Sequence, residues 1–354
     1  MTLDSSAPGT APAFSILMPA FETERYIEQA ILSVLAQSRT DWELIIVDDG
    51  SPDALVERIA PYLSYENVRL IRQANRGLAG ARNRAASVAR GRYLTLLDSD
   101  DALLPDYLEA VGAVLDRQPE TAMVACDALV YLEEPGRFRR RTYLRGRKVN
   151  PPRRPDPSRH LERLLHHNFI YPGATLRATA FAAVGGYNEE LRAAEDWDMW
   201  IRIAAHGLAT SVLDRPLAVY RFRSGSLSRD ADGANRLFEP SERMLSNILR
   251  ELELAPSARR VAQRSLAQCR RRAKLGDARE ALLSGDVTRA RRLSRTAFRT
   301  QATPKGALIV AAVGLFPRAL RSLHQRKHAA KRDVRAVLAR LTVPGLSGGP
   351  DRVA

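Results

Sequence analysis

Cysteine is nearly absent from this 354-residue chain, and long apolar runs are absent altogether. Two cysteines, Cys126 and Cys269, make neither a disulfide framework nor a metal cluster, so the sequence fits a reducing compartment. No stretch approaches the roughly 20 apolar residues needed to span a bilayer. The longest candidate, Ala307 to Phe316, is closed by Pro317. Met1 to Ala13 shows neither a positively charged start nor an apolar stretch, so no signal peptide is expected. Acidic residues are outnumbered most heavily toward the C-terminus. From Gly233 to Ala354 there are 26 Lys/Arg against 9 Asp/Glu, a net of +17, which leaves −2 for residues 1 to 232. Such asymmetry points to a polyanionic partner of the C-terminal third, an anionic membrane or a nucleic acid.

What is present is a 45% hydrophobic chain with regular alternation. Residues 1 to 12 are Ser/Pro/Ala/Gly-rich and expected to be disordered. Strands are expected at Phe14–Pro19, Trp42–Val47, Val68–Ile71, Tyr93–Leu97, Met123–Leu132, Tyr171–Arg177 and Thr210–Arg221, with helices between them. Strand–helix repetition implies an α/β architecture with a mainly parallel sheet. Gly136 to Arg159, with ten Lys/Arg and four prolines, reads as a mobile basic loop. Beyond Gly233 the pattern is helical and Arg-rich.

Ligands of parallel sheets bind outside the carboxyl ends of the strands. Three expected strands end in polar residues: Pro19-Ala20-Phe21-Glu22, Asp48-Asp49-Gly50-Ser51 and Asp98-Ser99-Asp100-Asp101. If extended geometry continues past Leu97, Asp98 and Asp100 project to one side. Paired carboxylates repel unless a cation lies between them, and oxygen ligands suit Mg²⁺ or Mn²⁺ bridging to a diphosphate.

Together these motifs resemble the inverting glycosyltransferases of family 2, with the GT-A nucleotide-diphospho-sugar transferase fold. The resemblance runs from about Phe14 to Asp230. It rests on Ser15-Ile16-Leu17-Met18-Pro19, Trp42 through Ser51, Asn75-Arg76-Gly77-Leu78-Ala79-Gly80-Ala81-Arg82-Asn83, Leu97-Asp98-Ser99-Asp100-Asp101, and Gly185-Gly186-Tyr187 leading to Glu195-Asp196-Trp197-Asp198. It implies a Rossmann-like, mainly parallel sheet flanked by helices over residues 13–232, followed by a basic helical region over 233–354. Pro19, Ala20, Glu22 and Asp49 would line the nucleoside pocket, and Arg82 would reach the diphosphate. Asp100 would hold the metal, Mn²⁺ or Mg²⁺, while Asp98 meets the ribose or acts through water. Asp196 would be the general base, with Glu195 and Asp198 competing for that role. Trp197 and Trp200 would stack on a sugar or pack in the core.

One departure concerns the segment Tyr220-Arg221-Phe222-Arg223-Ser224, where the family often has a His as a further metal ligand. Arg223 stands there, and an arginine ligates no cation; it would bind the diphosphate instead. The processive Gln-x-x-Arg-Trp signature is absent, so single-sugar transfer is expected. The implied donor is a nucleoside-diphosphate sugar, most often a UDP-sugar. The implied acceptor is a glycan or lipid-linked saccharide in cell-surface polysaccharide or glycoconjugate synthesis. No nucleic-acid partner is expected, because near-neutral residues 1–232 with acids at three strand ends do not suit one. Peripheral attachment to the cytoplasmic face of the plasma membrane is expected from the basic tail. The alternatives are a catalytically impaired scaffold of the same fold and, from the basic tail, a nucleic-acid-binding protein.

Overall fold

A computed structural model of the chain describes residues 11–149, 156–171, 173–223 and 238–323. The first strand, β1 (Phe14–Ala20), is buried along its whole length because it has a parallel neighbour on each side. After it come α1 (Ile27–Leu35), β2 (Trp42–Asp48), α2 (Leu55–Ile59), β3 (Val68–Arg72), α3 (Gly77–Ser87), β4 (Tyr93–Leu96), β5 (Ala102–Leu103) and α4 (Tyr107–Arg117). Ile27, Ala30, Ile31 and Val34 form the buried stripe that makes α1 helical and docks it. The chain continues through β6 (Thr121–Leu132), β7 (Arg137–Phe138), α5 (Tyr143–Gly146), α6 (Pro157–His166), β8 (Thr175–Arg177), α7 (Ala178–Ala183), α8 (Glu195–Ala205) and β9 (Ala209–Phe222).

The nine-stranded sheet has the order β3-β2-β1-β4-β8-β6-β9-β5, with β7 paired to β6. β3, β2, β1 and β4 are mutually parallel, as are β6 and β9, while β8 runs antiparallel to both β4 and β6. The α/β reading therefore holds, with an antiparallel insert that alternation alone did not indicate. Two buried polar residues fit at the amino ends of the central strands because both are satisfied. Ser15 Oγ donates to Glu43 Oε1 at 2.6 Å, and Glu43 also receives Arg69 and Arg90. Gly91 is required beside them: a Cβ there would stand 2.5 Å from the Ser15 backbone nitrogen.

The segment expected as a loop from Gly136 is partly regular. β7 closes a hairpin on β6, and α5 buries Tyr143 and Leu144. Asp127 Oδ1 accepts the Leu144 N–H at 2.8 Å. The apolar Tyr143-Leu144 pair, set among arginines, drives this docking. Residues 150–155 of that segment lie outside the described residues.

Beyond β9 lie α9 (Phe238–Glu251), α10 (Pro256–Ser284), α11 (Val287–Thr300) and α12 (Pro304–Leu315). The expected boundary at 232/233 falls outside the described residues, as do residues 1–10 of the segment 1–12 expected to be disordered. The chain divides into two compact units, 1–269 and 270–354. Met244, Leu245 and Ile248 of α9, with Ala258 and Ala262 of α10, belong to the core of the first unit. In the second unit Ala281, Leu282, Ala290 and Val313 form a small core, with Leu293, Ile309 and Leu320 packed against it. Asp286 caps α11 through the Arg289 N–H, and Thr303 caps α12 through the Gly306 N–H.

Candidate active site

Because β1 lies between β2 and β4, all parallel, the carboxyl ends of these three strands emerge at one edge of the sheet; Ala20 is paired in register with Asp48. Pro19 and Ala20 are buried strand residues at that edge. Glu22 follows with φ 52°, its side chain exposed and its N–H donating to Ser51 Oγ at 3.1 Å. Thr23 and Ser99 share a buried 2.9 Å hydrogen bond that ties the loop after β1 to the acidic turn after β4.

Asp49 is buried and fully engaged with its own chain. Its Oδ1 accepts from Gln73 Nε2 at 2.7 Å and the Arg76 N–H at 2.8 Å, and its Oδ2 accepts from the Gly77 N–H at 2.8 Å. Those amides open α3, so Asp49 caps a helix from a neighbouring strand end. The Asn75–Asn83 motif is thus fixed to the Asp48–Ser51 motif before any ligand arrives.

The acids after β4 do not continue the strand. The Asp101 N–H donates to the Asp98 carbonyl at 3.0 Å, closing a turn, so strand alternation does not set their directions. Each finds a different partner. Asp98 Oδ1 accepts from Arg82 Nη2 at 2.5 Å. Asp100 Oδ2 accepts from Arg223 Nε at 2.8 Å, and the Arg223 guanidinium lies 5.1 Å from the centroid of the Tyr26 ring. Asp101 is buried, accepts from Tyr171 Oη and from the Arg221 N–H, both at 2.8 Å, and so pins the end of β9 to the turn. Burial, together with the charges of Asp98 and Asp100, pushes the Asp101 carboxyl far above its usual range. Burial and Asp98 raise Asp100 as well, against the pull of Arg223.

Arg82 is 1% exposed and does not reach outward. Its Nη1 donates to Glu195 Oε1 at 2.9 Å while Nη2 holds Asp98, and its guanidinium lies 5.2 Å from the centroid of the Tyr187 ring. Asn83 exchanges two hydrogen bonds with the Tyr187 backbone, at 2.9 and 2.8 Å. The Gly185-Gly186-Tyr187 motif therefore lays an aromatic face beside Arg82, and Arg82 serves the site by holding two carboxylates. Removing one partner of a buried pair like this costs about 3–5 kcal/mol.

Ala194, in the left-handed region at φ 65°, caps the start of α8 and brings three acids into its first turn. Neighbours on a helix do not face the same way. Glu195 turns inward to Arg82, and burial lifts its pKa to about 7, with the Arg82 charge opposing and Asp196 and Asp98 adding. Asp198 is buried in an ion pair with Arg202 at 2.8 Å. Asp196 stays half-buried; its Oδ2 accepts from Asn168 Nδ2 at 2.9 Å and its Oδ1 from the Trp197 N–H at 2.7 Å. Burial raises its pKa, while Arg82 and these hydrogen bonds lower it. Asn168 is the residue that sequence reasoning missed: it sits between α6 and β8, with no motif to mark it. Trp200 is fully buried and Trp197 donates its indole N–H to the Leu164 carbonyl at 2.6 Å, so both are committed to packing.

The site therefore gathers the carboxylates of Asp98, Asp100, Asp101, Glu195 and Asp196 around the guanidinium groups of Arg82 and Arg223. Such a cluster leaves excess negative charge for a cation or proton to balance. Among the described residues no group of three or more His, Cys, Asp or Glu could hold a metal ion. A hard divalent cation needs only one or two protein carboxylates when substrate phosphates and water complete its shell. Asp98 and Asp100 fit that donor set, although Arg223 already takes one oxygen of Asp100.

Residues 15–185 match the family described as Glycosyl transferase family 2. The chain is 32% identical over 206 residues to a chondroitin synthase of Escherichia coli, a match covering 58% of this chain and 28% of that one. Two further curated relatives are covered over 20% and 36% of their length. S. aureus TarS 1-349 in complex with UDP-GlcNAc has a similar structure, with a TM-score of 0.59 at 19% identity over 87% of this chain and 88% of that one. The mannosyltransferase PcManGT of Pyrobaculum calidifontis, in complex with GDP-Man and Mn²⁺, gives a TM-score of 0.54 at 15% identity over 94% and 87%. At these identities the two structures share the fold.

Proposed function

We propose that this chain, whose residues 15–185 match the family described as Glycosyl transferase family 2 and which has the GT-A fold, transfers one sugar, with inversion, from a nucleoside-diphosphate sugar to an acceptor hydroxyl. The observation that carries this reading is the Arg82 bridge. One buried guanidinium links Asp98, at the donor edge, to Glu195, the neighbour of Asp196, so the two halves of a displacement site are assembled together. The acceptor oxygen attacks the anomeric carbon, the bond from that carbon to the diphosphate oxygen breaks, and the nucleoside diphosphate leaves with the electron pair. Asp196 takes the hydroxyl proton. Its half-buried carboxylate, held by Asn168, suits this better than Glu195, which is closed onto Arg82.

Pro19, Ala20, Glu22 and Asp49 border the nucleoside side, and Asp98 and Arg223 the diphosphate side. Arg223, half-buried and anchored on Asp100, is a fixed cation for the departing phosphates. Asp100, with Asp98 beside it, would hold Mn²⁺ or Mg²⁺, which when bound offsets charge on the leaving diphosphate. A UDP-sugar is the favoured donor, supported by the UDP-GlcNAc complex of the TarS fold neighbour. The acceptor class is a glycan or lipid-linked saccharide of polysaccharide or glycoconjugate synthesis, supported by the likeness to a chondroitin synthase. We place the enzyme in the cytoplasm, on the inner face of the plasma membrane.

The test is release of nucleoside diphosphate from a panel of sugar nucleotides, with and without Mn²⁺, for wild type, Asp100→Ala and Asp196→Ala. Release from one donor, lost in Asp196→Ala and weakened in Asp100→Ala, is the expected result. No release and no donor-induced thermal shift from any donor would overturn the reading. A second reading, a donor-binding scaffold, draws on the Asp100–Arg223 pair and predicts a thermal shift without turnover even when acceptor saccharides are supplied.

A further inference from the structure

The second unit holds the largest concentration of exposed apolar side chains. Leu308, Leu315, Phe316 and Leu323 are 70%, 72%, 63% and 65% exposed, whereas no other large hydrophobic residue among the described residues exceeds 53%. All four fall within sixteen residues, so they are a local feature rather than scattered surface. The inner side of α12 is already used: Gly306 and Val313 are buried, and Ile309 packs on the small core of this unit. The outer side carries Leu308, Ala311 and Leu315 at helical spacing, all exposed. Phe316, Ala319 and Leu323 continue the exposure past Pro317.

The surroundings of this face are cationic. Residues 270–354 contain 20 Lys/Arg and 5 Asp/Glu, a net of +15 that equals the charge of the whole chain. Arg291 Nη2 donates to the Gly314 carbonyl at 2.7 Å, which sets a guanidinium next to Leu315 and Phe316. Lys305 and Arg318 flank the apolar run and are exposed, as are Arg289, Arg292, Arg295 and Arg299 on α11. A second copy of the chain would bring the same positive rim against it, whereas phosphate headgroups complement that rim and acyl chains complement the apolar face. No single helix among the described residues is long and apolar enough to cross a bilayer, and the pair Pro304–Leu315 and Pro317–Leu323 is bent by 107°. A bent, basic-flanked pair suits lying in the membrane plane.

We infer that the outward face of α12, with Phe316 and Leu323 after it, inserts into the interface of an anionic bilayer while Arg291, Lys305 and Arg318 meet its phosphates. This goes beyond the donor chemistry and does not depend on it. The experiment is sedimentation of the full chain with vesicles of phosphatidylcholine alone or of phosphatidylcholine with phosphatidylglycerol, at low and high salt. Wild type should bind the anionic vesicles and release with salt. The double variant Leu315→Asp/Phe316→Asp should bind at least about tenfold more weakly, since each lost side chain removes a burial contribution of this order or more. Lys305→Gln/Arg318→Gln should lose binding mainly at low salt. Circular dichroism melts, and donor-stimulated nucleotide release where it is observed, should stay at wild-type values, because these residues are exposed; Leu315→Ala/Phe316→Ala gives the same reading should the aspartates disturb folding. Unchanged binding of these apolar variants, or equal binding to phosphatidylcholine alone, would overturn the inference. So would a concentration-dependent dimer in light scattering that the apolar variants abolish, which would make this face a self-interface.

Discussion

Replacing Glu195 by Gln tests the buried charge network directly. Glu195 lies 2.9 Å from Arg82 and its pKa is raised from the ordinary 4.5 to about 7, first by burial. An acid whose pKa is raised by folding binds its proton more tightly in the native state. Its stabilising contribution is therefore complete below 4.5 and is lost as pH rises through about 7. A change of this size corresponds to about 3 kcal/mol. Gln keeps an oxygen for Arg82 and cannot ionise, so the variant lacks that loss. The stability of Glu195→Gln relative to wild type should increase by about 3 kcal/mol between pH 4.5 and about pH 8, nearly all of it below pH 7 or just above. Urea melts followed by tryptophan fluorescence would read it, because Trp42, Trp197 and Trp200 all belong to the first compact unit. A stability difference that stays constant with pH would show that Glu195 titrates like an exposed glutamate, and would refute the reasoning from burial.

Further outcomes follow from the same geometry. Asn168 donates to the Asp196 carboxylate and so favours its charged form; Asn168→Ala should move the acid limb of kcat/KM to higher pH with little change in KM for the donor, and an unmoved limb would show that Asn168 is only packing. Asp49→Ala leaves the first amides of α3 uncapped and should cost about 1–2 kcal/mol in a denaturant melt. Arg223→His removes the fixed cation on Asp100 and offers an imidazole ligand, so nucleotide release should become several-fold more dependent on Mn²⁺; identical metal titration curves for the two proteins would contradict this. Gly91→Ala drives a Cβ into the Ser15 backbone and should destabilise by about 1–3 kcal/mol or prevent folding, measured by the same melts.

The sequence by itself determined the alternation of strands and helices, the three acidic strand ends and the basic C-terminal third. Each of these is a local property: burial on both faces demands apolar runs such as Phe14–Ala20, one-sided burial demands the stripe of α1, and charge is counted directly. The motifs from Ser15 to Asp198 marked the candidate site for the same reason, since their residues stand together in the chain. The tertiary structure alone decided the partners. Arg82 and Glu195 are 113 positions apart, and only packing shows that the guanidinium is buried between two carboxylates rather than offered to a diphosphate. Asp98 and Asp100 take different arginine partners because the chain turns from Asp98 to Asp101, and Asp49 is drawn to amides 27 and 28 residues away. Tyr143 and Leu144 settle a segment that composition made look like a loop. The run Ala307–Phe316 reads in the sequence as an apolar segment with a basic flank, and only the packing shows which side of α12 is buried and which is exposed among the described residues. Periodicity encodes whether a side chain is buried; which distant group shares its low-dielectric surroundings is set by the fold.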